Sequence, residues 1–369
     1  MMRRILTVLG VTALTLAGVT GVRAAEADRE RAGDAPGAVY ALTNAPAGDA
    51  VVAFDRAADG SLQARGTYST GGRGSGAGLG SQGAVIVSDD HRLLFAVNAG
   101  DNSISSFRIE PDGLMLVDRQ PSGGVLPTSL TYRHGLLFVL NAGAPNSVNG
   151  FRVSAKGAMR AIPGSSRPLS TAQTAPGQVG FSSDGDTLIV TEKGTNVVDT
   201  YEVDDDGRLE GPFIHPSAGP TPFGFATGRR GVVLVSEAGA GGGASTYRAD
   251  EERLTPVSSM LMTGQRAACW AVITNNGRFG YVSNAGTGNI SGFTLASDGT
   301  AALLNADGVS ATTGGNPSDM VLSNDGGLLY VRIAARNEIA LLTVGPDGAL
   351  ASRGAAAVIP AGAAGLTGF

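Results

Sequence analysis

Two glutamates stand out in a chain poor in ionisable side chains. Glu192 closes the apolar run TLIVTE and Glu237 closes VVLVSE, so burial would raise either carboxyl toward the range of a general base. Lys193 and Arg266 are the cations nearest these positions in sequence, and either can polarise a carbonyl or hold a developing oxyanion. Amide side chains take comparable places: Asn98, Asn141 and Asn284 end apolar runs, whereas Gln82, Gln178 and Asn316 stand where such runs begin. Trp270, the single tryptophan, offers a stacking face for a ring substrate or a packing surface between elements. Glu237, Glu192, Lys193 and Arg266 are thus the catalytic candidates for base-assisted attack on a carbonyl, and the three asparagines, Gln82, Gln178, Asn316 and Trp270 are the substrate-binding candidates. A local role stays open beside this one, because Asn and Glu at the end of a run also cap the turn that follows.

Other chemistries find little support. His91 and His134 lie in the turns SDDHR and YRHG, and His215 lies in the loop FIHPSAGP. There is no G-x-S-x-G elbow and no H-E-x-x-H pair, and Cys269 is the only cysteine, so thiolate metal sites and internal disulfides are excluded. Gly78 to Gly83 spells G-x-G-x-x-G but precedes the strand-like AVIV, where a dinucleotide fingerprint needs a helix N-terminus. Asp204-Asp205-Asp206-Gly207 begins like a calcium loop and lacks the later ligands. No cofactor is expected; Ca²⁺ among Glu192, Glu237 and neighbouring amide oxygens is the alternative.

The elements that must position these residues are strands. Among 369 residues, 56 are Gly and 17 are Pro, a composition that argues against helices. Apolar residues at 42% argue against disorder, and a net charge of −5 provides no basic field for nucleic acid or anionic lipid. From Gly37 onward one pattern recurs about every 50 residues: a strand, a polar turn, a second strand ending in Asn or Glu, a third strand, then often Asp-Gly. The ends of the second strands fall at Asn44, Asn98, Asn141, Glu192, Glu237, Asn284 and Ile333. Seven copies of four period-two strands predict an all-β, seven-bladed β-propeller of four-stranded antiparallel blades over residues 38–369. Asp59-Gly60, Asp112-Gly113, Asp206-Gly207, Asp298-Gly299 and Asp347-Gly348 mark the hairpins between third and fourth strands. The first copy lacks an inner strand and the chain ends in an unpaired one, Ala363 to Phe369, so the C-terminus is expected to close the ring. In such a blade the start of strand one and the end of strand two share an edge, which gathers the candidate residues around one mouth of the central channel.

Ahead of the repeats, Arg3 and Arg4 precede an apolar run and small-residue cleavage sites. Residues 1–25 therefore read as a secretory signal peptide and 26–37 as a flexible leader, which predicts export to the envelope or beyond, with no membrane attachment after cleavage. A monomer acting on a small-molecule substrate or ligand is the expected form.

The stretches YVSNAGTGNISGF, FAVNAGDNSISSF and LLFVLNAG resemble blades of the lactonase family of seven-bladed propellers, which includes 6-phosphogluconolactonase and 3-carboxymuconate cycloisomerase types. A more distant resemblance is to YVTN-repeat propellers. The resemblance implies a channel-mouth site acting on a lactone or its open acid. Glu237 matches the glutamate of the family's fifth blade; the family's blade-four histidine is Gly177 here and its blade-six arginine is Ala285. A lactone hydrolase or cycloisomerase built on this chain would draw on Glu192, Lys193 or Arg266 instead, and the other reading is a propeller that binds without catalysing.

Overall fold

In the computed structural model, which describes residues 37–250 and 253–369, strands pair with near neighbours in sequence, one terminal pairing excepted, and fall into seven antiparallel sheets. Numbered in chain order, blade 2 runs through strands Val85–Val87, Leu93–Asn98, Ser103–Glu110 and Gly113–Pro121, innermost first. Blade 4 repeats the order with Pro176–Phe181, Thr187–Glu192, Val197–Val203 and Leu209–Pro216, and blade 5 with Pro222–Thr227, Val232–Glu237, Gly243–Asp250 and Arg253–Met262. The signal-peptide and leader readings lie outside the described residues.

Blade 1 is closed as expected. Its innermost strand is the C-terminal Ala364–Gly368, which pairs antiparallel with Gly37–Leu42 through Val39 opposite Gly368 and Tyr40 opposite Thr367. The Phe369 ring stacks on His91 of blade 2 at 4.1 Å, so the seam reaches the neighbouring blade as well. Joining the first and last described strands in one sheet pairs what would otherwise be an apolar edge.

Blades 3 and 6 depart from four strands. Their outer position is split between two short strands, Met159–Ala161 with Arg167–Pro168 and Ala301–Leu303 with Ala311–Thr312. The polar segments between the halves loop out, and their ends are tied back: Ile162 N–H donates to the Gly150 carbonyl, and Leu304 N–H to that of Gly292.

The Asp-Gly hairpins link sequence to packing. Gly60, Gly299 and Gly348 have φ of 87°, 93° and 84°, a backbone that favours glycine. Their carbonyls accept hydrogen bonds from Tyr330, Thr246 and Tyr281 of the preceding blades, at 2.7, 2.7 and 2.8 Å. Each hairpin thus bolts one blade to the last, over interblade cores such as Phe138, Phe181, Leu188 and Tyr201.

Candidate functional site

Glu192, Glu237, Asn98, Asn141 and Asn284 end the second strands, as the spacing predicts, and all are fully buried. Their side chains face the third strand of their own blade. Asn98 Nδ2 donates to Ser103 and Ser105 Oγ at 3.0 and 2.9 Å, and Asn284 Nδ2 to Asn289 Oδ1 and Ser291 Oγ, both at 2.8 Å. Asn141 does the same with Asn149 Oδ1 at 3.0 Å. Glu237 Oε1 accepts from Ser217 Oγ at 2.9 Å and from Ser245 Oγ. The connections between blades lie directly over these side chains. A Cβ on Gly124 would sit 2.6 Å from Asn141 Cγ, and one on Gly219 2.7 Å from Glu237 Cγ. Glycine permits that approach, which covers the polar ends of the second strands at Asn98, Asn141 and Glu237.

Glu192 has an acidic neighbour that sequence reasoning missed. Ser170 N–H points at both Glu192 Oε1 and Asp199 Oδ2, at 2.9 and 3.1 Å, and the Ser170 hydroxyl donates to Glu192 Oε2. Burial and the adjoining Glu192 carboxyl push the Asp199 pKa up, so Asp199 keeps its proton to a higher pH than an exposed carboxyl would. The signal was local: Asp199 stands seven residues after Glu192, the offset at which Ser105 follows Asn98. Burial likewise raises Glu237 to about 7, against the hydrogen bonds of Ser245, Ser217 and Gly219. Glu192 and Glu237 share no hydrogen-bond partner, and among the described residues no group of three or more His, Cys, Asp or Glu could hold a metal ion.

The channel mouth is lined by the inner strands. In five blades the inner strand bulges as it starts, with shifts between Pro127 and Ser129, Pro176 and Gln178, Pro222 and Phe225, Ala268 and Trp270, and Pro317 and Met320. Such a bulge re-aims side chains, here Ser129, Gln178, Gly224, Trp270 and Asp319. Several of them bond the backbone of the next blade: Ser129 Oγ accepts from Val179 N–H at 3.1 Å, and Gln178 Oε1 from Phe225 N–H at 2.7 Å. Gly224 has no side chain for this. Gln82 reaches across instead, donating to the Ala271 carbonyl at 2.8 Å and accepting from its N–H at 3.0 Å.

The segment carrying Gln82 roofs the mouth. Trp270 Nε1 donates to the Ser81 carbonyl at 2.9 Å, Lys193 Nζ donates to that of Gly80, and Ser81 Oγ donates to that of Thr128 at 2.7 Å. Lys193 also lies over the Phe223 ring, 4.6 Å from its centroid, and burial lowers its pKa to about 8. Arg266 and Asn316 stay outside this cluster as exposed residues, Arg266 binding the Gly286 carbonyl at 3.2 Å.

Between this roof and blades 6, 7 and 1 is a cavity of about 400 Å³ that holds Trp270, Asp319 and Arg332. Asp319 is 3% exposed, and burial lifts its carboxyl to about 7 against the pull of the Arg332 charge and the Leu366 N–H. Arg332 donates through Nη1 to the Ala363 carbonyl at 2.5 Å, while its Nε is buried without a partner. Neither residue was a candidate from the sequence. The available signal was that Asp319 is the one charged residue among the five bulge positions, in the blade whose second strand ends in Ile333 in place of Asn or Glu. A carboxyl that titrates near neutrality, a guanidinium with a free N–H and an indole face are together able to bind a small carbonyl compound and activate water beside it.

The family model described as "Lactonase, 7-bladed beta-propeller" matches residues 48–162. Comparison with curated proteins finds no match. Among solved structures, the chain is similar to a putative 6-phosphogluconolactonase from Bacteroides fragilis, with a TM-score of 0.75 and 16% identity over 91% of this chain and 98% of that one. The periplasmic gluconolactonase PpgL of Pseudomonas aeruginosa aligns with a TM-score of 0.72 and 18% identity over 90% and 98%. A hypothetical selenium-binding protein from Sulfolobus tokodaii reaches 0.60 with 9% identity over 88% and 96%, so the fold alone does not fix a function.

Proposed function

We propose that this lactonase-family propeller hydrolyses a small lactone in the mouth cavity, with Asp319 as general base and Arg332 as the oxyanion-stabilising group. The observation that carries the reading is the pairing, in one cavity, of a buried carboxyl near neutral pKa with a guanidinium whose Nε has no partner. Asp319 takes a proton from water as the oxygen attacks the lactone carbonyl. The developing oxyanion is stabilised by the positive charge of the Arg332 guanidinium at the cavity. The tetrahedral intermediate then collapses, the ring C–O bond breaks, and the leaving alkoxide recovers the proton from Asp319. Trp270 supplies the face on which a sugar-like ring packs.

The enclosure of Glu192 and Glu237 supports giving the base role to Asp319. Composition of residues 1–25 supports export to the envelope or beyond, where sugar lactones and their acids would be encountered.

A panel of aldonolactones assayed with wild type, Asp319→Asn, Arg332→Gln and Glu237→Gln tests the proposal. Loss of turnover by a hundredfold or more is expected for Asp319→Asn, with Glu237→Gln close to wild type. Equal turnover by wild type and Asp319→Asn would overturn the assignment. Because Trp270 is the only tryptophan, its fluorescence reports ligand entry independently, and quenching without turnover in wild type would favour the non-catalytic binding propeller.

A further inference from the structure

The face opposite the mouth carries the turns between first and second strands, and four of them follow one rule. Ser88, Ser182, Thr274 and Ser323 hydroxyls each donate to the side chain two residues on, Asp90, Asp184, Asn276 and Asp325. That side chain in turn accepts a backbone N–H from Arg92, Asp186, Arg278 or Gly327. Blade 5 breaks the rule. Its turn reads Thr227-Gly228-Arg229-Arg230-Gly231, with arginine where the others have Asp or Asn and with no capping side-chain hydrogen bond. Arg230 also adopts φ of 60°, a left-handed backbone that disfavours a long side chain. His91 has φ of 55° at the same place in blade 2, so the backbone is shared; what sets blade 5 apart is that it forgoes its own cap, its Gly231 N–H being held instead by Ser183 Oγ of blade 4 at 3.0 Å.

Arg229 lines a cavity of about 470 Å³ together with Arg230, Arg133, Ser183, Thr274 and Asn275. Arg133 arrives from the end of the blade 3 inner strand, and the missing Cβ of Gly185 leaves room for its guanidinium. Its Nε is buried and has no hydrogen-bond partner. Among the described residues no carboxylate forms an ion pair with Arg133, Arg229 or Arg230. Asp184, the acid in the adjoining blade 4 turn, is instead engaged by the Ser182 hydroxyl and the Asp186 N–H. The blade 6 turn contributes neutral Asn275 and Asn276.

From this we infer that the three arginines form a binding site for a small tetrahedral oxyanion, a phosphate or phosphate monoester, on the face opposite the mouth. Guanidinium forks match phosphate oxygens in pairs, and three of them with no ion-paired carboxylate among the described residues leave a positive pocket on a chain of net charge −5, while Asp184 and Asp250 line the adjoining cavity on the other side of Arg230. The Ser183 hydroxyl at the same cavity adds a neutral donor for a remaining oxygen. The inference does not rest on the lactonase reading, since it uses none of the mouth residues.

Calorimetric titration of the full chain with inorganic phosphate and with glycerol phosphate at low salt tests it. Saturable one-site binding is expected for both probes, weakening as salt rises. Arg229→Gln should weaken it at least tenfold. Arg230→Asp should abolish it, because the substitution puts a carboxylate among the remaining guanidinium groups. A response to inorganic phosphate alone would assign the site to the free ion. Absence of saturable binding to wild type, or binding of equal strength by wild type and Arg230→Asp, would overturn the proposal. Asp319→Asn should bind both probes as wild type does, which separates this site from the mouth.

Discussion

Gly224→Ala is the substitution that most directly tests how the channel mouth is built. A methyl there would meet Gln82 Oε1 well inside contact distance, with the Cys269 carbonyl 2.6 Å and Trp270 Cα 3.2 Å away. Two of these neighbours are backbone and do not give way, so overpacking costs about 1–3 kcal/mol. Displacing the Gln82 carboxamide also breaks its two hydrogen bonds to Ala271, at 2.8 and 3.0 Å, adding about 0.5–1.5 kcal/mol for each. The sum is about 2–6 kcal/mol, which at roughly 2 °C per kcal/mol lowers the melting temperature by about 4–12 °C. Gln82→Ala alone loses only the hydrogen bonds, about 1–3 kcal/mol. In the double variant the methyl no longer meets the carboxamide, so urea denaturation should show the combined cost falling short of the sum by about 1–2 kcal/mol. Additivity within about 0.5 kcal/mol would refute the idea that Gln82 occupies the place Gly224 vacates.

Three further outcomes are expected. The pKa of Asp199 is raised in the folded protein, so the folded state keeps a proton that the unfolded chain releases, and stability falls as pH climbs from the ordinary carboxylate range toward the raised value. Asp199→Asn, which removes the titration, should therefore raise the melting temperature more at pH 8 than at pH 5; an equal change at both would count against the raised Asp199 pKa. If Asp319 is the base of the proposed lactone hydrolysis it acts only when ionised, so kcat/KM for that reaction should rise about tenfold per pH unit below about 7 and level off above it. Deleting Gly362 to Phe369 removes the inner strand of blade 1 and uncovers Val39, Ala41 and their neighbours, so aggregation is expected in light scattering, and a soluble product with an unchanged melting temperature would contradict the closure.

Strand period, hairpin position and repeat number are local properties, and they were legible in the sequence. Alternating Val, Leu and Phe between Asp-Gly pairs defines a blade without reference to any other, and the unmatched strand at each end of the repeats points to their union. What a polar side chain at the mouth does depended on tertiary structure. Glu192 and Glu237 sit where the spacing predicts, but a strand's end does not say whether its side chain faces the channel or the third strand. That was decided by Ser170 and Gly219, which belong to connections folded over them. The candidate site itself is assembled across the ring: Gln82 and Ala271 are 189 residues apart, and Asp319 meets the roof only because blade 7 closes against blade 1. Sequence by itself determined the seven blades, since each is held by hydrogen bonds between neighbouring segments. Only the closed ring decided the chemistry, because inner-strand bulges and the roof over the channel set which few charges share a cavity.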